Sequence, residues 1–107
     1  MIELDRDSLC FSFPEVHPDA WCRVNFVRTL RIPDDGRAYY LPPGLGGFPL
    51  RHVEDHADRL PPSWAVHGGA LLPMYQAEAL WLSFGGDYPM ALKIAAGKIN
   101  AVTGQGW

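Results

Sequence analysis

The sequence predicts a β-rich α+β fold: a mostly antiparallel sheet of about five or six short strands, curved or forming a partly open barrel, with one short helix near residues 50–60. Two observations carry this expectation. Ten prolines and eleven glycines in 107 residues leave little room for long helices. Apolar residues recur with a period of two in most of the patterned runs, and with a helical period only between Leu50 and Leu60. The length suits a single domain spanning residues 1–107 with one hydrophobic core.

The first strand is expected over Ser8–Phe13, where Leu9, Phe11 and Phe13 alternate with Cys10 and Ser12, and Pro14 ends it. His17, in the connection that follows, reads as a solvated loop residue. A longer strand is expected over Trp21–Ile32, with Cys22, Val24, Phe26, Leu30 and Ile32 on one face and Arg23, Asn25, Thr29 and Arg31 on the other. Arg28 falls on the apolar face. Either a bulge resets the register there, or Arg28 points inward toward a carboxylate or a ligand.

Pro33-Asp34-Asp35-Gly36 has turn chemistry and predicts a hairpin returning through Arg37–Leu41. The loop Pro42–Pro49 keeps Leu45 and Phe48 among glycines and prolines, so it is expected to pack on the core rather than cradle a phosphate. Leu50, Val53, Ala57 and Leu60 draw an apolar stripe on a helix that Pro61-Pro62 stops, with a short helical turn over residues 63–68 beyond it.

The segment from Leu71 to Gly104 concentrates the strand signal. Strands are expected over Gln76–Phe84, Met90–Ala95 and Ile99–Thr103, joined by turns at Gly85-Gly86-Asp87 and Gly97-Lys98, giving a three-stranded meander.

Sequence evidence for chemistry is thin, and no catalytic residue is assigned. His52 and His56 stand four apart, which on a helix places both imidazoles on one face. With Asp55 they form a candidate divalent-metal site and a near miss of a zinc-hydrolase helix, needing a third ligand such as His17 or His67. Arg23, Arg28 and Arg31, with Lys93, form a candidate surface for a small anionic ligand. Lys93 and Lys98 are the only lysines, and either, if buried, has the chemistry of a Schiff-base or anion-binding group. Cys10 and Cys22 sit in apolar runs and read as small core side chains of a reducing compartment.

The formal net charge of -3 gives no general attraction for nucleic acid, and no run is long and apolar enough for a membrane span. The acidic opening MIELDRD lacks signal-peptide character, which predicts a cytoplasmic protein.

The runs MYQAEALWLSF, YPMALKIAAGKINAVTG and LPPGLGGFPLRHV resemble a group of bacterial and fungal proteins with no established activity. These share M-Y-Q-x-E-A followed by Leu or Met and W-x-x-F, then Y-P-x-A and G-K-[IV]-N-A-V. The likeness extends from Val27 onward and brings no catalytic role with it. It implies a truncated or naturally short member, the N-terminal part of a longer architecture, whose exposed edge is expected to pair with another chain or with a separately encoded remainder.

Three functions follow as expectations. The first is a noncatalytic interaction or structural domain acting through self-association as a homo-oligomer or by docking on a partner protein. Its support is the aromatic content of four Trp, four Tyr and five Phe. The second is an anionic-ligand-binding domain using the three arginines and Lys93. The third is a metal-dependent hydrolase at His52, Asp55 and His56.

Overall fold

The computed structural model describes residues 1–106, and its centre is a four-stranded antiparallel sheet. In chain order the strands are β1 (Ile2–Asp5), β2 (Ser8–Ser12), β3 (Trp21–Leu30), β4 (Arg51–His52), β5 (Ala70–Leu71), β6 (Glu78–Gly85), β7 (Ala95–Ala96) and β8 (Ile99–Asn100). The main sheet runs β1-β2-β3-β6 and is not closed; β4-β5 and β7-β8 are separate two-stranded pairs. The β-rich α+β class is therefore as the sequence predicts.

β3 is the spine. It pairs with β2 over Trp21–Asn25 and with β6 over Arg23–Leu30, and the β6 ladder runs through Arg28 opposite Leu80 without a bulge. The registers fix the two faces. Ile2, Leu4, Leu9, Phe11, Cys22, Val24, Phe26, Arg28, Leu30, Leu80, Leu82 and Phe84 share one; Glu3, Asp5, Cys10, Arg23, Asn25, Val27, Thr29, Ala79, Trp81 and Ser83 share the other. Cys10 and Cys22 thus lie on opposite faces, and both thiols are free.

β2 ends opposite Asn25, leaving the β2-side edge of β3 open from Phe26 onward. The glycine-proline loop fills it. Phe48 donates its backbone N–H to Phe26 O (2.8 Å), Arg28 donates to Gly46 O (2.8 Å), and Leu45 donates to Arg28 O (2.8 Å). This seats Phe48, which is fully buried, on the apolar face. On the opposite face Gly44 comes so close that an added Cβ would lie 3.0 Å from Val27 and 3.2 Å from Trp81. The expectation that this loop packs on the core is met, and its backbone serves as a substitute strand.

Three expectations are corrected. Arg37–Leu41 forms no strand: the edge of β3 it would need is taken by Leu45–Phe48. Asp35 instead holds the turn locally, accepting the Arg37 N–H (3.0 Å) and the Tyr39 hydroxyl (2.5 Å).

The α-helix expected over residues 50–60 is the strand β4 followed by a 3-10 segment, Val53–Arg59, kinked at His56. Leu50 and Val53 are buried as the stripe predicts, but Ala57 is exposed. The cause is tertiary. Asp7 accepts the Leu50 N–H (3.0 Å) and Arg51-His52 pair with Ala70-Leu71, so the first residues are held extended. The short helix α1 (Pro62–His67) follows, closed by Gly68 at φ 69°.

The meander does not form either. Only its first strand, β6, joins the main sheet, while β7 and β8 make a minimal hairpin apart from it. Its turn is as expected, Gly97 and Lys98 both having positive φ (58° and 67°). Gly86 at φ 135° turns the chain away from β6, so close to β3 that a Cβ would lie 2.6 Å from Trp21 O. Tyr88 then stacks on His17 with ring centroids 5.4 Å apart, and His17 is, as expected, an exposed loop residue. Among the described residues no strand pairs with the outer edge of β6.

β1, a strand outside every sequence expectation, pairs with β2 across a two-residue turn in which Arg6 is left-handed (φ 56°).

Candidate functional site

Arg28 is the one charged residue on the apolar face of β3, and the structure shows why it is tolerated there. Its guanidinium lies 4.3 Å above the Phe48 ring and donates to Glu78 Oε1 at 2.5 Å. Both side chains are about three-quarters covered, with exposures of 25% and 24%. Glu78 also accepts the backbone N–H of Tyr75 at 3.0 Å. That bond first, and the Arg28 ion pair second, hold the Glu78 carboxyl below its ordinary pKa against the opposing effect of burial. Of the two readings of Arg28, the inward one holds, and its partner is a carboxylate of the next strand.

The remaining candidate cations do not converge. Arg23 lies on the opposite face and pairs with Asp5 (3.0 Å), whose hydrogen bond raises its pKa. Arg31 lies beyond the end of β3, eight residues from Arg23, which is about 27 Å along a strand. It borders a depression of about 240 Å³ formed with Leu30, Ile32, Leu41, Leu80 and Trp81. Lys93 is exposed in the segment between β6 and β7. Lys98 sits at the tip of the β7–β8 hairpin, where it is exposed.

The proposed metal triad loses its helical premise. His52 is extended, in β4, and His56 is the residue at the kink. His52, 3.9 Å from Glu54, faces a groove of about 350 Å³ shared with Ile2, Leu4, Leu9 and Phe11. His56 lines a different depression with Arg51, Arg59 and Leu71. Among the described residues no three His, Cys, Asp or Glu side chains are grouped to hold a metal ion.

What the structure does bring together is apolar surface along β6. The depression beside Arg31 opens at one end of this strand, against Ala79–Trp81. A second, of about 160 Å³, opens at the other end, where Trp21, Phe84, Tyr88, Met90 and Leu92 meet. Leu80 and Phe84 stay 37% and 48% exposed. The indole N–H of Trp81 is buried without a hydrogen-bond partner. Sequence reasoning missed this region as a site because it assigned the outer edge of β6 to a neighbouring strand of the meander.

No protein-family model, no curated protein and no solved structure matches this chain. Among the described residues no helix is long and apolar enough to cross a membrane.

Proposed function

We propose that the chain is a noncatalytic, β-rich interaction domain that works by associating with itself or by docking on a protein partner. The observation that carries this reading is surface area. The chain exposes 8434 Å², whereas a folded monomer of 11.9 kDa exposes about 6,000 Å². Its radius of gyration is 15.8 Å against about 13 Å for a compact domain of this length.

Large hydrophobic side chains contribute to this exposure. Among the described residues six hydrophobic ones are buried, Val24, Phe48, Leu50 and Val53 among them, while twenty large ones are exposed, including Tyr40 at 99% and Val66 at 83%. An excess of about 2,500 Å² is more than a standard interface removes from one partner, which is about 800 Å². Covering it by association supplies the burial that the isolated chain lacks.

Size-exclusion chromatography with light scattering tests the reading. A mass above 11.9 kDa is expected for the purified chain. A strict monomer at every concentration that also captures no protein in a pull-down would end it.

A further inference from the structure

The main sheet has two free edges, and they differ in length and chemistry. β1 offers four residues, Ile2–Asp5, two of them acidic. β6 offers eight, Glu78–Gly85, and its single charge, Glu78, is engaged by Arg28. From Ala79 to Gly85 the strand carries no charge, no proline and no bulge. An edge of this kind is a template for another strand, because among the described residues no strand pairs with its outward N–H and C=O groups.

We infer that the outer edge of β6 pairs antiparallel with β6 of a second copy of this chain, about a two-fold axis through Leu82, making a continuous eight-stranded sheet. The inference rests on the self-association half of the proposed function and names its surface.

Side-chain periodicity favours a two-fold contact. An antiparallel self-pairing that keeps the faces continuous sets residues of one face against the same face of the mate. Centred on Leu82, it puts Leu82 opposite Leu82 and Phe84 of one copy opposite Leu80 of the other. Trp81 and Ser83 meet on the reverse side. Leu80 and Phe84, 37% and 48% exposed in the single chain, then meet Phe84 and Leu80 of the mate at the two ends of the contact.

No like charges oppose each other in this pairing. β1 fails the same comparison: a face-preserving self-pairing sets Glu3 against Glu3 or against Asp5, which is repulsive. Pairing at β6 therefore closes as a dimer, with the acidic β1 edges outermost. Over its whole surface each chain exposes about 2,500 Å² more than a compact monomer of its mass, against about 800 Å² that a standard interface removes from one partner.

A charge swap tests the inference. The unmodified chain is expected to run at twice 11.9 kDa in light scattering. With Leu80→Lys and Phe84→Lys together, cations oppose each other across the two-fold and the mass should fall to that of the monomer, the dissociation constant rising about thirtyfold or more. With Leu80→Lys and Phe84→Glu together, each lysine faces a glutamate of the mate and the dimer should return. Val66→Lys, on an exposed position of α1, should leave the mass unchanged.

If the double-lysine chain fails to fold by circular dichroism, Leu82→Cys decides. Mild oxidation should give a covalent dimer that the unmodified chain, with Cys10 and Cys22 alone, does not give. No cross-link would overturn the inference. So would a dimer that survives the double-lysine change, although self-association would then stand on another surface. A chain that is monomeric throughout overturns the pairing, and if it also captures no partner the interaction reading falls with it.

Discussion

The two edges of the sheet obey opposite rules, although both belong to strands that pair on one side only. β1 is short, alternates acid with aliphatic residues, and commits Asp5 to an ion pair with Arg23 on β3. Charge on a short edge strand discourages further pairing. β6 is twice as long and uncharged from Ala79 onward. It is held rigidly from its inner side by an eight-pair register with β3 and, through Arg28 and Glu78, by the Phe48 loop. The short acidic edge carries its own protection against further pairing, while the long apolar edge has no charge from Ala79 onward to do the same.

The contrast depends first on Phe48, because the loop it anchors supplies the ring beneath Arg28. Phe48→Ala removes a fully buried aromatic side chain and is expected to cost about 3–5 kcal/mol in urea unfolding. A loss below 1 kcal/mol would show that the loop is dispensable to the β6 side.

Gly86→Ala comes next. Its positive φ and the 2.6 Å approach of a Cβ to Trp21 O force the backbone to move, at a cost of about 1–3 kcal/mol. Because this turn directs the chain away from β6, the variant also tests why the edge is free.

A smaller effect should appear in acid. The Glu78 carboxyl is held below its ordinary value in the folded chain, so it contributes stability above the unfolded carboxylate pKa and loses it as pH falls through the lowered one. A melting-temperature profile should decline from the ordinary carboxylate range downward, and Glu78→Gln should flatten that decline. An unchanged slope would separate the ion pair from the stability of β6.

The smallest change in stability is expected at the other edge. Glu3→Val with Asp5→Val breaks the exposed Arg23 pair, which solvent screens, so little change in melting temperature is expected. It should nonetheless make β1 associate, and light scattering should show species larger than the dimer. If it does not, acidity is not what protects β1.

Much of this contrast was legible in the sequence, and the parts that were not share a cause. The alternation in Ser8–Phe13, Trp21–Ile32 and Gln76–Phe84 locates β2, β3 and β6 to within a few residues, since strand period is local. β1 was legible too, in Ile2 and Leu4 between Glu3 and Asp5, but its charges read as a polar terminus. The errors concern which edge a segment finds. Arg37–Leu41 has strand composition yet loses the edge of β3 to a glycine-rich loop with little strand propensity. Leu50–Leu60 has helical spacing, but Asp7 and Ala70-Leu71 hold its beginning extended.

The candidate sites fared according to the same distinction. Arg28 stood out because it broke a local pattern, and it does face inward. The His52–His56 pair relied on a helix that long-range contacts prevented. The β6 edge was hidden by an expected neighbour, Met90–Ala95, which Gly86 and the Tyr88–His17 stack draw elsewhere.

The central claim is tested most directly by amide hydrogen exchange on the unmodified chain, measured at high concentration and again after dilution. Pairing through β6 predicts that alternate amides between Ala79 and Gly85 exchange slowly when concentrated and quickly when dilute, while those of Ile2–Asp5 do not change. Protection in β6 that is independent of concentration, or a change confined to β1, would contradict it.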